Sequence, residues 1–137
     1  MMCSLHYVRL WKRLGGGRLR SIRRFASKFE HATGIHVKVT DNTEGFVGND
    51  LLTSEIFQMA AEALSNVHRH TQARSARVAL NLDGNVIQLQ VENDRVAGQD
   101  RVLFTPGSIS DRAEALGGRT QVLLEDDRTV LRVEVPL

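Results

Sequence analysis

Four polar side chains of this 137-residue sequence share one stripe. At about 100° per residue along an α-helix, Gln58, Glu62, Asn66 and Arg69 fall in line, with His70 beside them. The apolar set Ile56, Met59, Ala60, Ala63, Leu64 and Val67 lies about 120° away. A helix with one face in a core thus presents a carboxylate, an amide oxygen and a guanidinium in a row. Those groups suit a metal-bound phosphate. The amide oxygen can hold Mg²⁺, the carboxylate can orient a water, and the guanidinium can meet phosphate oxygens. A solvated helix face has the same spacing, so the stripe alone leaves both readings open.

The elements around the stripe follow from periodicity. Leu19, Ile22, Phe25, Ala26 and Phe29 recur at three- and four-residue spacings, which predicts an amphipathic helix over 18–33 that Gly34 stops. Ile35, Val37 and Val39 alternate with His36 and Lys38 as a half-buried strand, and DNTEGFVGND follows as a loop. Thr53 is the expected N-cap of the stripe helix, over 54–70, with Glu55 in its first turn. Two alternating runs around Asp83-Gly84-Asn85 predict a hairpin. Ser108 is placed to cap a short helix that Gly117-Gly118 ends, and a second hairpin, 119–125 with 129–136, closes the chain. Because the strands carry a polar alternate face, the expected fold class is an α+β two-layer sandwich. It is a five-stranded mixed sheet with three helices on one face.

Composition narrows the function classes. With 42% hydrophobic and 25% charged residues the chain reads as one globular domain, with residues 1–17 as a basic tail or linker and 18–137 as the folded body. Cys3 is the single cysteine, and no CxxC pair or Cys/His grouping suggests a zinc module. No apolar run reaches the roughly 20 residues of a membrane span, and no signal peptide is recognisable, so the expected location is the cytoplasm. Residues 1–28 hold eight basic side chains and no acidic one, although the net charge of the whole is only +2. Such an arm would bind nucleic acid in a salt-sensitive, sequence-independent way at most, and no base-reading motif accompanies it. Leu5, Tyr7, Val8, Leu10 and Trp11 within it suit self-association, so a homodimer through this segment is an expectation.

The stretch QMAAEALSNVHRHTQA, residues 58–73, resembles the asparagine box of the GHKL ATPases. Its specific likeness is to the pattern QEALTNxxRHAxA of sensor histidine kinases that partner NarL/LuxR-type response regulators. RRFASKFEHATGIHVKV, DRAEALGGRTQV and RTVLRVEVPL extend the resemblance over residues 18–137. It implies the histidine kinase catalytic-domain fold, with ATP and Mg²⁺ as cofactors. Glu62 would be the acidic residue of the box and catalytic, Asn66 the Mg²⁺ ligand, and Arg69 and His70 neighbours of the phosphates.

The other boxes depart from the family pattern. The first glycine box, V-x-D-D/N-G-x-G, corresponds to Val91-Glu92-Asn93-Asp94-Arg95-Val96-Ala97-Gly98. Asn93 falls on the adenine-reading position with Asp94 next to it, Arg95 replaces a glycine, and Gly98 comes one residue late. The second box leaves only Gly107 near a helix start, where backbone amides can cradle phosphate. The Gly-Thr pair that opens the last strand is Arg128-Thr129, which keeps the threonine. Neither His6 nor His31 is followed by the acidic residue of the phosphoacceptor helix.

The resemblance therefore implies the ATP-binding catalytic domain of a two-component sensor histidine kinase, a phosphotransferase in signal transduction. That domain would lack its own phosphoacceptor helix and bind nucleotide more weakly than the family does. One alternative is a degenerate pseudokinase module that acts by binding a NarL/LuxR-type regulator or a kinase dimerisation-helix module. An anti-sigma-type serine kinase, which shares the fold, is more distant.

Overall fold

The computed structural model describes residues 17–43, 49–94, 107–125 and 127–137, with side chains from residue 20 onward. Helix α1 (Gly17–Thr33) leads to strand β1 (His36–Asn42) and helix α2 (Asp50–His70). Strands β2 (Ser75–Asp83) and β3 (Val86–Asp94) follow, then helix α3 (Gly107–Ala115), β4 (Arg119–Leu124) and β5 (Arg128–Pro136). The strand order is β1-β2-β3-β5-β4. Among the described strands only β1 and β2 pair in parallel, which requires a crossover, and α2 provides it. The other pairs are antiparallel. This is the expected mixed sheet with helices on one face.

Register explains why one face is covered. Val39, Val78, Val91 and Leu131 lie side by side across β1, β2, β3 and β5, as do Leu80, Leu89 and Val133 across the central three. Ile22, Ile56, Met59, Leu64 and Ile109 from the three helices close over this surface, each no more than 2% exposed. The alternate residues, among them Arg77, Asn81, Gln88, Gln90 and Arg132, form the opposite, polar face.

Several helix ends differ from expectation. α2 starts at Asp50, and its N-cap is Asn49, whose Oδ1 accepts from the Leu52 N–H at 2.7 Å. Thr53 lies inside the helix and donates its hydroxyl to Asn49 O at 3.0 Å. Both residues are good cap types; burial of Leu52 favours the earlier start. Ser108 likewise lies inside α3 rather than capping it. The C-terminus of α3 follows the sequence closely. Gly118 N bonds to Ala113 O and Gly117 N to Glu114 O, with Gly117 at φ +77, a Schellman ending. A Cβ on Gly118 would sit 2.2 Å from Glu134 O, so only glycine lets the chain cross β5 there.

Candidate functional site

Asn66, Glu62 and Glu55 run along the side of α2 that faces α3. Arg112 Nη1 donates to Glu55 Oε1 and Oε2 at 2.9 and 3.2 Å, and Ser108 Oγ donates to Glu62 Oε1 at 3.2 Å. The two helices are therefore antiparallel, and α3 opens, with an exposed Gly107, beside Glu62 and about one turn from Asn66. Glu55 is thus a strut between helices rather than a first-turn acid. Asn66 is only 8% exposed, and its Oδ1 accepts from Arg69 Nη2 at 2.9 Å. Arg69 and His70 are exposed at the C-terminus of α2. His68 is exposed too, with its ring edge-on to Phe29 at 6.2 Å between centroids.

The sheet adds a second group of side chains at the same end. The four residues Thr71–Arg74 carry the chain from α2 into β2, so the start of β2 lies beneath the end of α2. Ala76 there pairs with Asn93, and Asn93 pairs with Thr129. By alternation, Asn93 and Thr129 point to the helix side, as Val91 and Leu131 do two residues on. Asn93 is 8% exposed and its Nδ2 donates to Asp94 O at 2.9 Å. Asp94 projects to the opposite face, where its Oδ1 accepts from the N–H groups of Arg74 and Ser75 at 2.9 and 3.0 Å. Gly98 and Arg95 lie outside the described residues.

Glu92 is one residue that sequence reading passed over. It is 8% exposed, and Arg128 Nη1 donates to its Oε1 at 2.6 Å. Burial pushes its carboxyl up, but hydrogen bonds from Gln90 and Arg128, with the charges of Arg128 and Arg77, hold it below the usual glutamate range. The only signal in the sequence is two opposite charges on strands that a hairpin reading does not place side by side.

An amide oxygen has two lone pairs, and Arg69 takes one of those on Asn66. With Glu62 four residues earlier on the same line, this donor set fits Mg²⁺, which commonly takes one or two protein oxygens and completes its shell with water and phosphate. No group of three or more His, Cys, Asp or Glu side chains forms a metal cage among the described residues. No helix among them is long and apolar enough to cross a membrane.

No protein-family model matches the chain. Sensor histidine kinase LiaS of Bacillus subtilis (strain 168) is 32% identical over 87 residues, which is 60% of this chain and 24% of LiaS. Oxygen sensor histidine kinase NreB of Staphylococcus carnosus (strain TM300) is 27% identical over 124 residues, 85% of this chain and 35% of NreB. The chain thus spans about a quarter to a third of these relatives. Among solved structures, the nucleotide-free catalytic domain of histidine kinase ThkA matches at a TM-score of 0.66 and 15% identity, over 87% of this chain and 89% of that one. The histidine kinase domain of a blue-light activated kinase from Erythrobacter litoralis EL346 matches at 0.64 and 20% identity, over 88% and 61%. Full-length ShkA in complex with AMPPNP matches at 0.67 and 18% identity, over 92% and 33%. The fold is that of a histidine kinase catalytic domain, and the sequence is similar to sensor histidine kinases.

Proposed function

We propose, from the premise that the chain has the fold of a histidine kinase catalytic domain, that residues 18–137 bind ATP with Mg²⁺ and serve a two-component sensor kinase. The observation that supports this best is the Asn66–Arg69 hydrogen bond within the α2 stripe. It sets a largely buried amide oxygen between a carboxylate, Glu62, and a guanidinium at the end of the sheet where Asn93 and Thr129 emerge.

Each residue has a role that its chemistry allows. Asn66 and Glu62 would hold Mg²⁺, directly and through its water shell, and the bound ion would neutralise phosphate charge. Arg69 would turn from Asn66 to the phosphates, with His70 beside it, and the N–H groups of Gly107 and Ser108 at the start of α3 would meet phosphate oxygens. Asn93 and Thr129 would receive the base. Catalysis by such a site is positioning and charge stabilisation, and the histidine that accepts the phosphate comes from another segment or chain.

Titration of the purified chain with a non-hydrolysable ATP analogue, with and without Mg²⁺, tests the reading. Saturable, Mg²⁺-dependent binding that Asn66→Ala abolishes is the expected result. Binding that survives the substitution removes Asn66 from the site. A second reading is favoured by Arg95 and the displaced glycines: a module of the same fold that binds a NarL/LuxR-type regulator or the dimerisation helices of a kinase. Absence of binding at millimolar analogue points to it.

A further inference from the structure

The two acids that flank Asn93 reach in opposite directions. Glu92 and Asp94 share the polar face of β3, since successive side chains alternate. Glu92 lies diagonally across from Arg128 on β5, within reach for long side chains, and takes its guanidinium at 2.6 Å. Gln90 Nε2 steadies the other carboxylate oxygen at 2.8 Å. Asp94 turns the other way, to the backbone N–H groups of Arg74 and Ser75 at the start of β2. The residue between them is therefore tied to both neighbouring strands at once.

This matters because Asn93 sits at the end of a ladder. β3 ends at Asp94 and β5 begins at Arg128, one residue beyond the Asn93–Thr129 pair, and ladder ends are where strands open first. The Leu137 N–H donates to Asn85 O; counting along the ladder in twos makes Asn93 and Thr129 a pair that exchanges backbone hydrogen bonds. Glu92–Arg128 closes over that pair from the polar face.

The side-chain amide of Asn93 can present either end. With Oδ1 outward it accepts from an amino group such as that of adenine; with Nδ2 outward it donates to a carbonyl such as that of guanine. Here one of the two Nδ2 hydrogens donates to Asp94 O, which holds the amide in one orientation and keeps Oδ1 out of that bond. The peptide that carries this carbonyl is itself held by the Asp94 carboxylate on β2.

We infer that Glu92, through Arg128, and Asp94 are positioning residues for Asn93: from the opposite face of the sheet they fix its amide with the oxygen outward and so set which base the site takes. The inference rests on the nucleotide-binding reading above.

The test compares the full chain with Glu92→Gln and Asp94→Asn. Each is titrated with non-hydrolysable ATP and GTP analogues in Mg²⁺, with thermal melts alongside. The wild type prefers the ATP analogue; each single substitution lowers the ATP-to-GTP affinity ratio at least about threefold, the scale of a weakened charge-assisted hydrogen bond. A purely structural role moves the melting temperature and both affinities together, and an unchanged ratio in both single variants overturns the inference. If the wild type binds neither analogue, the nucleotide reading fails on its own. The side-chain NH₂ resonances of Asn93 in the ligand-free protein then decide: slowed exchange of one proton, lost in both variants, supports the anchor, and identical signals in all chains overturn it.

Discussion

The stripe on α2 and the end of the sheet supply the two halves of one candidate site, and they are built in different ways. On α2 the groups come from twelve consecutive residues, Gln58 to Arg69, and helical periodicity alone aligns them. At the sheet end, Asn93 and Thr129 are far apart in sequence and meet only because β5 pairs with β3. The first half is robust to anything that leaves a helix standing. The second depends on register, and a slip of one residue would turn Asn93 to the polar face and Glu92 into the site.

The largest effect is expected where both halves are broken together. Leu64 is fully buried beneath α2, and Leu64→Ala should cost about 3 kcal/mol through lost burial and the cavity left behind. Urea unfolding measures this, and nucleotide binding should fall with the fraction folded. A cost below about 1 kcal/mol would mean that α2 is not held on the sheet through this residue.

A smaller change touches only the helix half. Asn49→Ala removes the cap bond to Leu52 N and should lower stability by about 1 kcal/mol, while Thr53→Ala, which loses only an internal hydroxyl bond, should cost less. The reverse order would restore Thr53 as the start of the helix.

The smallest effect isolates the sheet half. The Glu92 carboxyl is held low by Gln90, Arg128 and Arg77 against the opposing effect of burial, and Arg119 and Gln88 hold that of Glu134 low. A carboxylate whose folded pKa is depressed adds stability that is fully present above its unfolded value. That stability is lost as pH falls through the folded one. The chain should therefore lose stability in acid, below the ordinary glutamate range near about 4.3. Glu92→Gln should flatten that loss when urea midpoints at neutral and acidic pH are compared. An unflattened profile would assign the acid sensitivity to other carboxylates.

Much of the architecture was legible because it is local. Alternation marks the hairpin around Gly84, the helical repeat of Ile56, Met59, Ala63 and Val67 marks α2, and Gly117-Gly118 marks the end of α3. The start of α2 was misplaced because Asn49 and Thr53 offer equal capping chemistry, and only burial of Leu52 separates them. A start at Thr53 puts Glu55 in the first turn, whereas from Asp50 it is the sixth helical residue, and no local signal points to its partner Arg112, 57 residues away.

The sequence by itself determined the elements, the one-sided core and the identity of the α2 stripe, because each is written in residue periods of 3.6 or 2. It did not determine that β5 would insert between β3 and β4, that Ser108 would meet Glu62, or that Glu92 and Asp94 would pull on opposite strands. Those are pairings between distant segments, and periodicity carries no information about which strand lies next to which. Only packing of the whole sheet against its three helices fixes them.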